Sequence, residues 1–258
     1  MNVPHNFVLF ALLAGCWVGA CPAKDPPAFG ICVPNIELPP LSFDNGRQGT
    51  LRKILGRAVA LAQVKIAYQV APIRRCHELV RNGVIPATLV SFTESTRELF
   101  SFPPDASDGR APGSQITPLA VAVYRRQGSR ARWTGSAFLN THSVGVLHDA
   151  LAIKQALAHS GVRVDDNNHT AEQQIRKLEA GRFDLLLAIP GHIAPYLAES
   201  RVERLPESFA TYKVYLALSL RLDSQQRHAG EQLWRALSTM NQLGEITRLL
   251  QASPAIAH

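Results

Sequence analysis

The stretch Gly83-Val84-Ile85-Pro86-Ala87-Thr88-Leu89-Val90-Ser91-Phe92-Thr93-Glu94-Ser95-Thr96-Arg97 (GVIPATLVSFTESTR, residues 83–97) passes through three kinds of structure in fifteen residues. Asn82-Gly83 closes a helical pattern running from Ile73 to Arg81, and Ala87 to Val90 reads as a short apolar strand. Beyond it the chain turns polar around one arginine. Upstream, Lys65 to Val70 reads as a strand, as does Phe29 to Val33, which ends near Pro34. Between them Thr50 is placed to cap a helix with Leu51, Ile54, Leu55, Ala58, Leu61 and Ala62 at helical spacing. This strand–helix alternation predicts an α/β fold, a mostly parallel sheet with helices on its faces.

A second pattern follows the polar loop Asp105–Ser114. Leu119 to Tyr124 and Ser143 to Leu147 read as strands, and Asp149 is placed to cap a helix Ala150–His159. Thr170 and Gln173 form a capping-box pattern for a helix that reaches Ala180 and stops at Gly181. The polar cluster Asp165-Asp166-Asn167-Asn168-His169 is then a turn leading into that cap. Phe183 to Ile189 is a nearly unbroken apolar run, the mark of a strand covered on both faces. Pro190-Gly191 opens a short helix, Tyr212 to Leu220 is a strand, and helices at Ser224–Leu237 and Asn241–Gln251 end the pattern. Two α/β units of this kind would leave a cleft between two lobes.

The 258 residues are 46% apolar, enough for one sizeable core or two smaller ones. The formal charge of +7 leaves a basic partner surface open, but the positive residues are scattered. The densest group is Arg125-Arg126, Arg130 and Arg132, short of a nucleic-acid patch, so no nucleic-acid partner is expected.

Residues 1–21, MNVPHNFVLFALLAGCWVGAC, read as a signal peptide. Phe7 to Ala20 carries no charge, too short to span a bilayer comfortably but right for a signal core, and Val18-Gly19-Ala20 supplies the small residues a signal peptidase needs. The beginning lacks the usual lysine or arginine. Leu13-Ala14-Gly15-Cys16 resembles a lipoprotein processing box, and Val18-Gly19-Ala20-Cys21 is a poorer match. Cys16 and Cys21 are therefore both lipidation candidates, beside plain cleavage after Ala20. Processing at Cys21 leaves Cys32 and Cys76 as an even pair, a natural disulfide in an oxidising compartment. Export to the periplasm, with or without a lipid anchor, is the expectation.

In this order of elements the sequence resembles the bacterial periplasmic solute-binding proteins of the polar amino-acid type, family 3, and their orphan relatives. The resemblance covers about residues 29 to 250. It is carried by Leu38-Pro39-Pro40-Leu41-Ser42-Phe43, by Arg75-Cys76-His77-Glu78-Leu79-Val80-Arg81-Asn82-Gly83, by Ser91 through Pro103, and by Ala180-Gly181-Arg182-Phe183-Asp184. It implies a periplasmic binding protein type 2 fold, two α/β lobes with a central cleft and two crossover strands near Pro118–Tyr124 and Thr211–Leu218. The implied partition is residues 29–118 for the first part of lobe one and 119–211 for lobe two. Residues 212–251 would be the return crossover and the rest of lobe one.

The resemblance also implies a function: capture of a small acidic or zwitterionic, carboxylate-bearing solute, for uptake by an inner-membrane ABC-type transporter. Arg97 matches the arginine that holds the ligand carboxylate. A guanidinium suits this role on physical grounds, being a rigid and permanently charged fork that meets two oxygens at once. Ser91 and Thr93 would add hydroxyl donors, with Arg75, His148 and His192 as further cleft candidates. Four departures stand beside this. The turn is one residue longer than usual and brings Glu94 beside Arg97; Leu41 replaces the stacking aromatic ring, with Phe43 two residues on. Pro86 stands where an aspartate is usual, and Ala188-Ile189-Pro190-Gly191-His192 lacks the acid that would receive an ammonium group. Burying an ammonium without that anion would cost several kcal/mol. The alternative is a non-catalytic accessory protein that binds another periplasmic protein.

Asp184 is expected to serve structure, through a backbone N–H group or Arg182. No phosphate loop, nucleophile elbow or metal pair at helical spacing appears, and Glu37, Glu78 and Glu94 show no acid–base spacing. No enzyme activity, cofactor or metal is expected.

Overall fold

The computed structural model describes residues 28–42, 49–107 and 113–252. The signal segment with Cys16 and Cys21, and Phe43, lie outside the described residues. The first part of the chain is β1 (Phe29–Pro34), α1 (Thr50–Ala62), β2 (Ile66–Ala71), α2 (Ile73–Arg81), β3 (Ala87–Ser91) and the four-residue α3 (Glu94–Arg97). Then come β4 (Thr117–Arg126), the hairpin β5 (Arg132–Trp133) and β6 (Phe138–Leu139), β7 (Ser143–Gly145), α4 (Leu151–Leu157), β8 (Arg163–Asp165), α5 (Ala171–Glu179), β9 (Leu185–Ala188) and α6 (Pro190–Leu197). The chain ends with β10 (Val202–Arg204), β11 (Ala210–Leu218), α7 (Ser224–Gln242) and α8 (Glu245–Gln251).

One sheet of order β2-β1-β3-β11-β4-β9-β7-β8 runs through both lobes, with β10 added to β4. The β2–β1–β3 and β9–β7–β8 pairings are parallel, as the strand–helix alternation predicts. The two long strands between them are antiparallel to each other. Val121 to Thr117 of β4 pairs with Ala210 to Val214 of β11; beyond that register β11 pairs with β3, and β4 with β9. These are the two crossovers. Pro118 has no N–H, and it stands opposite Lys213, whose carbonyl accepts from Phe92 N–H on the β3 side at 2.9 Å. The ladder therefore needs no donor from Pro118.

Alternation along the strands feeds four apolar clusters, one on each face of each lobe. In lobe one, Ile31, Leu89 and Leu216 pack toward α1 and α7, whereas Cys32, Val90 and Ala217 pack toward α2. In lobe two, Val121, Val123 and Leu187 face Ile153 and Leu157 of α4, while Ala122, Tyr124 and Leu186 face α5 and α6. Gly145 of β7 lets the Phe183 ring lie against the backbone, since a side chain there would overlap it.

Several boundaries differ from the sequence reading, each for a local reason. Gly49, not Thr50, precedes α1, and the Thr50 hydroxyl donates instead to the Pro40 carbonyl at 3.3 Å. Asp149 does not cap α4; the residue before that helix is Ala150, and the Asp149 carbonyl accepts from Leu151 N–H. Thr170 does cap α5, accepting from Gln173 N–H, but the Gln173 side chain accepts from His169 rather than from Thr170. The apolar stripe of α7 continues through Met240, and the break falls at Gly244, whose φ of 66° suits glycine. Here Asn241 donates to the carbonyls of Gly113 and Gln115.

Cys32 and Cys76 form a disulfide with Cα atoms 5.4 Å apart, tying β1 to α2 inside the lobe-one core. It closes 44 residues of sequence. Replacing both cysteines by alanine is expected to lower unfolding free energy by about 2–4 kcal/mol, with most of the loss through the freed unfolded chain. Urea denaturation followed by circular dichroism measures this; an unchanged midpoint would show the cross-link to be energetically idle.

Candidate functional site

The turn after β3 is built by its own hydroxyls. Thr93 Oγ1 accepts from Thr96 N–H at 3.2 Å, while Thr96 Oγ1 accepts from Thr93 N–H at 2.9 Å, a reciprocal cap that makes α3. Thr96 Oγ1 also lies 2.9 Å from the Ser91 carbonyl, to which it donates. The Thr93 hydroxyl is thus occupied in holding the turn, and Ser91 contributes its carbonyl to the same network. Sequence periodicity did not reveal this helix, because four residues carry no apolar stripe; the Thr93–Thr96 spacing was the available signal.

Arg97 ends α3 and its guanidinium lies 3.0 Å from Glu94 Oε2. Both side chains are exposed, Arg97 at 58% and Glu94 at 74%. A pair so open to water contributes about 0–1 kcal/mol, so Glu94 is a weak competitor for the arginine. Arg75, on the first turn of α2, is exposed and 3.7 Å from Glu78, and Arg74 lies 3.2 Å from the same carboxylate. Glu78 therefore pairs with both arginines on the exposed side of α2.

Facing this turn from lobe two is α4. The Ser95 hydroxyl donates to Gln155 Oε1 at 2.5 Å, bringing the two lobes into direct contact. Tyr212 Oη of the crossover strand β11 donates to the Ala152 carbonyl at 3.2 Å and ties α4 to the crossover. His148 lies half-buried before α4, its Nδ1 3.2 Å from the Asp166 carbonyl; that oxygen only accepts, so Nδ1 carries the proton. The His148 ring also lies 5.0 Å from that of His169. Lys154 lies 2.8 Å from Asp166 Oδ2, and this hydrogen bond holds the Asp166 carboxyl below its ordinary pKa. His192 is in the first turn of α6, where burial lowers its pKa and favours the neutral ring.

At the crossover, Phe92, Phe102 and Tyr215 meet edge to face with centroids 5.1–6.3 Å apart. Burial, aided by the charge of Asp105, pushes the Tyr215 hydroxyl up to about 12. The Asp105 carboxylate itself accepts from Ser114 N–H and the Ser114 hydroxyl at 2.7 and 2.8 Å, closing the polar loop.

Asp184 accepts at Oδ2 from His142 N–H, Ser143 N–H and the Ser143 hydroxyl, at 2.7, 2.9 and 3.2 Å. Its place is at the start of the parallel strands of lobe two, joining β9 to β7, and backbone groups rather than Arg182 are its partners. The structure thus gathers Ser91, Thr93 and Arg97 on one lobe, with His148 on the other lobe beside α4. Arg75 stands exposed on α2 beside Glu78, and His192 on α6. Among the described residues no group of three or more His, Cys, Asp or Glu side chains is arranged to hold a metal ion, and no helix is long and apolar enough to cross a membrane.

No family model matches the sequence, and no curated protein matches it. Solved structures do match in fold. An ancestral arginine-binding protein bound to arginine is similar with a TM-score of 0.64 at 16% identity, over 88% of this chain and 98% of that one. The GluR0 ligand-binding core from Nostoc punctiforme, in complex with L-glutamate, gives a TM-score of 0.64 at 12% identity, over 88% and 99%. A histidine kinase sensor domain with similarity to periplasmic binding proteins gives 0.65 at 14%, over 90% and 98%. The chain has the two-lobed periplasmic-binding-protein fold that its sequence resemblance implies.

Two measurements follow from the local geometry. Asp184→Ala strips three donors of their acceptor and is expected to cost about 1–3 kcal/mol of stability, read by urea denaturation. His77 on α2 is a pH probe. Its Nε2 is buried without a partner, and its pKa is lowered by burial against the opposing pull of the Leu89 backbone and Asp149. The unfolded histidine takes up a proton near pH ~6.5, the folded one only at lower pH. Its share of stability is therefore full above the unfolded pKa and lost as pH falls toward the folded one. His77→Phe should flatten the wild-type stability decline below pH ~6.5; an unaltered pH slope would contradict this.

Proposed function

We propose that this chain is a divergent solute-binding protein of the polar amino-acid type, exported to the periplasm, that captures a small carboxylate-bearing solute between its lobes. The observation that carries the reading is the placement of Arg97 on the short α3 turn at the end of β3, with α4 of the other lobe opposite. An arginine there is held by a rigid turn, and its ion-pair partner is an exposed glutamate that a better-enclosed carboxylate can displace. Two-pronged pairing with less water around it is the stronger interaction. In this reading residues 29–118 and 212–251 form lobe one and residues 119–211 lobe two, with delivery to an ABC-type transporter as the purpose of capture.

The solute class is narrowed by lobe two. Ile189 and His192 stand in the segment where an acid would receive an ammonium group, and the neutral form of His192 is favoured by burial. A carboxylate without a buried ammonium group fits best. The second reading, an accessory protein that binds another periplasmic protein, is favoured by two observations: Glu94 already pairs with Arg97, and the Thr93 hydroxyl is committed to its cap.

A thermal-shift screen of carboxylic acids, amino acids and small anions separates the two, because a ligand of the folded state raises its melting temperature. For the best carboxylate found, Arg97→Ala is expected to weaken binding by about 2 kcal/mol or more, with Arg97→Lys restoring only part of it. Glu94→Gln should strengthen it. Calorimetry gives the affinities and circular dichroism checks folding; unchanged affinity in folded Arg97→Ala would return Arg97 to a surface role, and silence across the whole screen would favour the accessory reading.

A further inference from the structure

The contact between Ser95 and Gln155 joins residues 60 positions apart and on different lobes. Each end is fixed by its own lobe. On lobe one, Ser95 Oγ lies 3.1 Å from Thr93 Oγ1, the hydroxyl that caps α3, and Thr96 Oγ1 pins the same turn to the Ser91 carbonyl at the end of β3. On lobe two, α4 is anchored by Ile153 and Leu157 in the core, by Lys154 on Asp166, and by the Tyr212 hydroxyl on the Ala152 carbonyl. Neither side chain reaches the other by swinging a loose segment. The hydrogen bond therefore depends on the angle between the lobes, which the paired strands β4 and β11 set.

From this we infer that Ser95 and Gln155 are an interlobe latch, a hydrogen bond between the protein's own groups that holds the cleft shut without requiring a solute. Ser95 is half-buried and Gln155 exposed, so water competes for both and the latch opens readily. A hinge needs a closure weak enough to reverse, and a fully buried bond in this place would lock it. The latch also sets a condition on binding: a molecule entering between α3 and α4 displaces this bond or leaves it intact beside itself. Its strength thus enters the apparent affinity through the fraction of protein that is closed beforehand.

The test reads lobe geometry and no ligand, so it stands apart from whether a carboxylate binds. The full protein is unfolded in urea with its disulfide intact, dialysed to remove bound small molecules, and refolded. Small-angle X-ray scattering then compares wild type with Ser95→Ala, Gln155→Leu and Gln155→Glu, each checked for its melting curve. Domain opening raises the radius of gyration. Ser95→Ala and Gln155→Leu are expected to show that rise, and Gln155→Glu, which keeps an acceptor for the Ser95 hydroxyl, to stay near wild type. Wild-type dimensions in both folded latch variants would overturn the proposal.

Discussion

The antiparallel pairing of β4 with β11 is the constraint on which the rest of the structure depends. Each strand leaves that shared register for a different lobe, β4 to join β9 and β11 to join β3. Two α/β units are thereby built into one hydrogen-bonded sheet, with five residue pairs at the junction. A single strand would allow the lobes to twist freely about the connection. Two paired strands resist twist because the ladder must keep its donors and acceptors matched, yet they still bend.

Everything near the candidate cleft is referred to that junction. The Lys213 carbonyl, opposite Pro118, accepts from Phe92, so the β3 strand end is locked to the crossover just before the α3 turn. Phe92, Phe102 and the buried Tyr215 fill the space beside it. The Tyr212 hydroxyl of β11 donates to the Ala152 carbonyl and ties α4 of lobe two to the same strand pair. Arg97 on one side and Gln155 on the other are consequently placed by short, well-connected paths from the crossover. Changes at the hinge would be felt at both.

The charges in this region are balanced locally rather than across the cleft. Arg97 meets Glu94, Arg74 and Arg75 share Glu78, and Lys154 meets Asp166. Exposed pairs of this kind contribute little to stability and exchange partners easily. Asp184 is different. Its carboxylate is engaged by two backbone donors and a hydroxyl between parallel strands, a use in which the charge organises the lobe.

What the sequence determined by itself was whatever depends on local periodicity and near-neighbour chemistry. The apolar run Phe183–Ile189, the α1 and α2 stripes and the Thr170 cap could be read directly, and their order led to the fold. The Cys32–Cys76 pairing followed from counting the cysteines on the expectation of export with processing at Cys21. Short strands without periodicity were missed: β8 and β10 exist because a neighbouring strand offers them a ladder, and three residues cannot show a pattern. Thr50 and Asp149 looked like caps, but Thr50 found the Pro40 carbonyl and α4 starts after Ala150. Only the tertiary structure decided which polar residues face one another. Arg97 and Glu94 are neighbours in sequence, so their pairing could be anticipated. Ser95 and Gln155 meet only because the two crossover strands bring α3 and α4 together, and no local signal encodes that distance.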